Sequence, residues 1–338
     1  MFCFVDHFEP RWKTSDINVE RSRVDRWCED YPKMAIKHLD SDGYHPKHCF
    51  FYPQEEYRYE HLAKLSNLCH QGFGEIEIHL HHENDTKENF CQTMTDFANT
   101  LHQQHGALPR HPVTGQIMYA FIHGNWALDN SLPNGEMCGI NNELALLRDT
   151  GCYVDLTLPS TPSKAQTKKV NSIYYATGKD GHCKSHDDGV DVEVGTPSSG
   201  DLMILQGPIG INLKWRTAYG VPHIENADIR TSCPPIKERI DQWVNSHIHV
   251  KGKEDWIFIK VHTHGAQEHD MDTLLGQARD EMHQYLGSKY NDGKNYLLHY
   301  VSAREMYNIV KAAEAGKNGN PNEYRDFILP RPSFENKV

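Results

Sequence analysis

The chain has 338 residues, of which 38% are hydrophobic and 24% charged, with a formal net charge of −11 and 23 histidines. That length suits one large α/β domain or two smaller ones, and the hydrophobic share is ample for a core. The acidic balance opposes binding to a nucleic-acid backbone or an anionic membrane, and no apolar stretch reaches the roughly 20 residues of a membrane span.

The mean hydropathy of −0.69 is that of a soluble chain. The one short basic segment, KAQTKK at 164–169, reads as a solvated turn. No signal-peptide pattern is read, because Asp6, His7 and Glu9 interrupt the first apolar run. Strand-like sequence begins at residue 2, which leaves room for a segment upstream of it. The expected location is cytoplasmic. Nine cysteines without a CxxC pair argue against a disulfide scaffold. Cys3, Cys49, Cys69 and Cys152 lie beside apolar runs and read as core filler.

In chain order, FCFV at 2–5 reads as a strand, followed by a helix around 22–39. HCFFY at 48–52 is a second strand, and 53–71 has apolar residues near helical spacing. EIEIHL at 75–80 alternates as a third strand. A long helix follows over 85–106, with Asp85 or Thr86 as its cap and Glu88 near the reciprocal position. MYAFIH at 118–123 is a strand, 141–151 a helix with a glycine stop, and CYVDLTLP at 152–159 another strand. Strand and helix alternating in this way predict a parallel sheet with crossover helices. Between 160 and 235 the pattern changes to short β-prone pieces separated by Gly and Asp, expected to form a β-rich excursion. Helices at 236–248, 273–291 and 303–316 then flank strands at 256–265 and 296–301, and a polar tail begins near 317.

Histidines and acids gather where these apolar runs end, and buried strands need no imidazoles there. Asp6 and His7 end the first strand. Adjacent strand residues point to opposite faces, but a bend at the strand end would let both reach one pocket. His79 and His81 share a strand face by period two, while His82 turns away unless the strand has ended. Two imidazoles and a carboxylate match a catalytic zinc with a position left for water, and Glu83 and Asp85 offer spare carboxylates. The alternative is a wet, histidine-rich loop.

HGNW at 123–126 places His123 before Gly124, which allows close backbone approach, with Asn125 and Trp126 after it. The indole is a platform of the kind a sugar ring needs. Asp155 on a strand must hydrogen-bond to something, either a catalytic histidine or a structural turn. His262 and His264 share strand parity with Lys260, and either imidazole is a candidate proton donor to a leaving group. Motifs for dinucleotides, phosphate loops, HExxH proteases and GxSxG hydrolases are missing.

FVDHFEP at 4–10, IHLHHEND at 78–85, FIHGNW at 121–126 and KVHTHG at 260–265, in that order, resemble the polysaccharide-deacetylase (NodB-like) superfamily. The resemblance implies a distorted parallel (β/α)7-type barrel over 1–338 as a single domain, with a β-rich insertion at about 160–235. It implies a metal-dependent carbohydrate deacetylase that removes N-acetyl or O-acetyl groups, with a divalent metal, Zn²⁺, as cofactor and a carbohydrate as partner. On it, Asp6 is the base and His7 stands where the family has a ligand aspartate. His79 is a metal ligand. Glu83 stands where the family's second histidine would be, so His81 or His82 substitutes. His262, or its neighbour His264, is the general acid, and Asp155 is the group that orients that imidazole. HGNW replaces an arginine–proline motif, with His123, Asn125 and Trp126 as substrate contacts. Two other functions stay open at this point. One is non-catalytic glycan binding through Tyr52, Trp126 and Trp215. The other is glycoside hydrolysis, for which Asp129 and Asp155 are the available carboxylate pair.

Overall fold

The computed structural model describes residues 1–334. Strand and helix alternate through β1 (Phe2–His7), α1 (Ile17–Ala35), β2 (His48–Pro53), α2 (Tyr59–His70), β3 (Gly74–Leu80), α3 (Lys87–His105), β4 (Tyr119–His123), α4 (Glu143–Thr150) and β5 (Cys152–Asp155). Then come β6 (Ile173–Ala176), β7 (Val190–Asp191), β8 (Leu202–Leu205), β9 (Gly210–Arg216), β10 (Pro222–Glu225), α5 (Lys237–Asn245), β11 (Ile259–Thr263), α6 (Glu268–Leu275), α7 (Gln277–Lys289) and α8 (Ala303–Glu314). The main sheet has nine strands in the order β11-β1-β2-β3-β4-β5-β8-β6-β7, parallel from β11 through β8. It is a curled, open α/β barrel carrying a β-rich insertion.

The strands are buried on both faces, as a parallel sheet with crossovers requires. Period two divides their side chains. Phe2 and Phe4 of β1 face a layer built with residues of α1 to α7. Cys3 and Val5 face the other way, with Cys49, Phe51, Ala120 and Ile122, into a core closed by Met306, Ile309 and Val310 of α8. Ser302 and Glu305 make a reciprocal capping box that fixes the start of α8. The curl has a direct marker. Lys260 of β11, at one flank, donates from Nζ to the carbonyls of Leu156 at 2.8 Å and Leu158 at 2.6 Å, just beyond β5. The β11 edge is itself covered, because His262 N–H donates to Ala227 at 2.9 Å and Ile229 N–H donates to the His262 carbonyl at 2.8 Å.

Several elements differ from the sequence expectation. The 160–235 region is not a pure excursion: β8 continues the parallel sheet beside β5, with β6 and β7 antiparallel beyond it, and the β9–β10 hairpin alone forms a separate sheet. Residues 296–301 make one bridge, Phe2 to Tyr300, and no strand. Their amide groups are claimed by side chains, Leu298 N–H by Asn291 and Tyr300 N–H by Asp40. The expected 273–291 helix is split at the extended backbone of Gly276 into α6 and α7. Thr86 caps α3 by accepting from Asn89 N–H. The tail is tied down: Arg325 donates to the Tyr300 carbonyl at 2.6 Å, and Asn308 donates to the Leu329 carbonyl at 2.8 Å. Among the described residues no helix is long and apolar enough to cross a membrane.

Candidate metal centre

The parity that turns Cys3 and Val5 inward also turns His7 and, just past the strand, Glu9. The same alternation on β3 delivers His79 and, beyond its end, His81. On β11 it delivers His262 and His264. Because β1, β2, β3 and β11 are parallel neighbours, these groups end at one rim. His7 stacks on His264 with ring centroids 4.6 Å apart, meets His79 edge-on at 4.8 Å and lies 6.4 Å from His262.

Glu9, His79 and His81 form the tightest donor set. Glu9 Oε1 is 3.1 Å from His81 Nε2 and 3.6 Å from His79 Nε2. Donor atoms around a four-coordinate zinc stand about 3.3 Å from one another, so the spacing fits. The outer ring nitrogens are already committed. His79 Nδ1 donates to the Ile122 carbonyl at 2.7 Å, and His81 Nδ1 meets Glu55 Oε1 at 2.6 Å. Such bonds fix ring orientation and aim each Nε2 at the Glu9 carboxylate, where a metal would take the place of the His81 proton. His79 Nε2 and Glu9 Oε2 are buried with no hydrogen-bond partner, as vacant donors would be.

The electrostatics agree with a site for a cation. Burial pushes the Glu9 carboxyl up, but the His79 and His81 imidazoles beside it outweigh burial and hold Glu9 below the usual carboxylate range. Burial lowers His81, yet Glu55 and Glu9 raise it to about 10. Burial and the surrounding imidazoles push His7 well down, and burial with the charges of Lys260 and His264 does the same to His262, which favours the neutral ring in both. His264 is also lowered by burial, with Glu9 and Asp228 partly countering.

Not every residue read from the sequence joins this centre. Asp6 does not, because β1 stays paired as far as His7 and no bend brings both side chains to one face. Its Oδ1 accepts from Gly265 N–H at 2.6 Å and its Oδ2 from His48 Nε2 at 2.8 Å. The geometry for a base role is therefore lacking. Asp155 takes the structural alternative: Thr157 satisfies its carboxylate through N–H at 3.0 Å and Oγ1 at 2.7 Å. His82 turns to the opposite face, where its Nε2 lies 2.8 Å from His123 Nε2, so neither reaches the Glu9 centre. Trp126 does reach the rim, 6.5 Å from His7 and 6.3 Å from His264, half-buried, and Asn125 beside it is exposed. Asp129, offered for a glycosidase pair, is buried and accepts from Glu143 and Ser185 N–H groups.

The structure adds residues that strand-end histidines did not reveal. Glu9 had the parity of His7 but no strand to mark it. Glu55 comes from the short 3-10 turn after β2. Asp228 and Arg230 arrive on the segment that covers β11, with Asp228 bridged to His262. They pair at 2.6 Å, and Asp228 Oδ1 is buried without a partner.

A second donor group, His82, His123, Cys138 and Glu143, lies on the opposite face of β3 and β4. A third, Asp40, Asp42 and His299, already holds a cation: Arg325 lies 3.3 Å from Asp40 and 3.6 Å from Asp42. A cavity of about 650 Å³ opens at the other end of the strands, lined by Met1, Phe2, Trp256 and Ile259, away from the histidine rim. In comparisons with known proteins, no family model and no curated protein matches the chain.

Proposed function

We propose that the protein is a metal-dependent hydrolase, and that its substrate is an acetylated carbohydrate from which it removes N-acetyl or O-acetyl groups. The observation that carries the hydrolase reading is the Glu9–His79–His81 set, in which Glu9 Oε1 faces both Nε2 atoms while His79 Nε2 and Glu9 Oε2 are buried without a hydrogen-bond partner. The carbohydrate reading rests on the order of the four motifs that resemble the deacetylase superfamily and on the half-buried Trp126 face beside the centre.

Glu9, His79 and His81 would hold a divalent ion, Zn²⁺ by donor type, and His7 stands ready as a further nitrogen ligand. Such an ion polarises an acyl carbonyl and lowers the pKa of water. The remaining work falls to the chain. His264, half-buried with a free Nδ1, accepts a proton from the attacking water and returns it to the departing nitrogen or oxygen. Asp228 stabilises the charged imidazole formed between those events, and Arg230 orients Asp228. Trp126 offers its face to a sugar ring.

The test is metal analysis together with acetate release from an N-acetylglucosamine oligomer. Wild type should release acetate in a metal-dependent way, and His79→Ala should lose both the ion of this centre and the activity. Fully metallated protein that releases no acetate from N- or O-acetylated glycans would remove the substrate assignment. Unchanged metal content in His79→Ala would remove the centre.

A further inference from the structure

The second donor group sits back to back with the first across β3 and β4. His82 has the parity of Ile78 and Leu80, and His123 that of Tyr119 and Phe121, so both rings leave the sheet on the helix side. There they meet Glu143, the first residue of α4, and Cys138 from the loop before it. His82 Nε2 and His123 Nε2 are 2.8 Å apart, and Glu143 Oε1 lies 3.3 Å from the first and 3.4 Å from the second. Cys138 Sγ is 3.6 Å from Glu143 Oε2.

Hydrogen-bond accounting shows that something positive belongs between these atoms. His123 Nδ1 faces the Gly124 carbonyl at 2.5 Å, an acceptor, so Nδ1 carries the proton and Nε2 of the neutral ring bears a lone pair. His82 Nδ1 faces Asp85 Oδ2 at 3.0 Å, again an acceptor. Two imidazole lone pairs would then confront each other at contact distance beside a carboxylate. Glu143 Oε1 is buried without a hydrogen-bond partner and is aimed at both rings, while Asp129 N–H fixes Oε2 at 2.6 Å. The neighbouring His186 is buried with neither ring nitrogen partnered.

We propose that His82, His123, Cys138 and Glu143 form a second metal site, structural in role and suited to zinc. Two imidazole nitrogens, a thiolate and a carboxylate oxygen make a four-donor set that zinc accepts and that Mg²⁺ or Ca²⁺ does not. Burial of all four side chains leaves no open position for substrate, which separates it from the rim centre. Its role follows from the loop it ties. Residues 124–142 hold Trp126 at φ 58° and Met137 at φ 59°, a region costly for bulky side chains. A metal bridging Cys138 and Glu143 to the ends of β3 and β4 would pin that loop and hold Trp126 at the rim.

The experiment is Co²⁺ substitution of the chelator-treated full chain. Thiolate ligation gives a sulfur-to-cobalt charge-transfer absorption in the near ultraviolet, independent of any activity. The wild type should show it, His79→Ala should keep it, and Cys138→Ser should lose it together with one equivalent of zinc. Absence of the band in cobalt-saturated wild type overturns the proposal and assigns the His82–His123 contact to a shared proton. A band retained in Cys138→Ser, or an unchanged zinc count there, overturns it as well. Should Cys138→Ser fail to fold, the wild-type spectrum still decides. Metal loss confined to His79→Ala bears on the rim centre alone, so failure of one assignment is distinguishable from failure of the other.

Discussion

Glu9 Oε1 and His81 Nε2 lie 3.1 Å apart, although their strands are separated by β2. The contact exists because both residues extend past the sheet on its inner face, where the curl draws the strand ends together. It makes a carboxylate that no motif emphasised the centre of the donor set.

Removing the group that orients His81 tests that set without touching its donors. Glu55→Gln replaces the acceptor 2.6 Å from His81 Nδ1. Metal affinity at the rim should fall by about 10- to 100-fold, as for other outer partners of ligating histidines. Competition against a chromophoric chelator reads this directly. An affinity unchanged in Glu55→Gln would mean that His81 is not a ligand.

His264→Gln should separate chemistry from metal binding. The rate should fall by about 10²- to 10⁴-fold, the usual contribution of a positioned acid–base group. Zinc content should stay at the wild-type value. If His262→Gln produces that split and His264→Gln does not, the roles of the two imidazoles are exchanged.

Arg239 anchors the Asp228 segment. It pairs with Glu225 through Nε at 2.7 Å and Nη2 at 2.8 Å, and Nη2 also donates to the Asp228 carbonyl at 2.6 Å. Both side chains are fully buried. Arg239→Leu would strand the Glu225 carboxylate and should cost about 3–5 kcal/mol. Urea unfolding measures this, and a loss under about 1 kcal/mol would show that water reaches the pair.

Lys260 gives a pH prediction. Burial lowers its ammonium from 10.5 to about 7, with Asp155 partly opposing. Between pH 7 and 10.5 the unfolded chain binds more protons at this site than the folded one, so its contribution to stability rises with pH there. It is complete above the unfolded value and is lost as pH falls through 7. Lys260→Met should remove this rise from unfolding curves recorded between pH 7 and 10.5. It should also cost about 1–3 kcal/mol for each of the Leu156 and Leu158 carbonyls left without a donor. A wild-type slope preserved in the variant would assign the pH dependence to other groups.

Much of the architecture was readable in alternation. β1 to β5 and β11 coincide with the apolar runs, because a strand buried on both faces must be apolar along its length. β8 was harder to place, since LMIL carries nothing that says it pairs with β5 in the main sheet. The 296–301 segment looked like a strand for the same reason that β11 does, yet Asp40 and Asn291 claim its amides.

Within each strand, the amino-acid order alone determined which side chains travel together. Period two put His79 with His81 and His262 with His264, and it turned His82 away. Only the tertiary structure decided which of the two faces became the rim and what else arrived there. Glu9, Asp228, Cys138 and Glu143 come from segments without strand periodicity, so their positions follow from the curl of the sheet and the packing of loops on it. Local order sets direction along a strand; convergence between distant segments is a property of the whole packed chain.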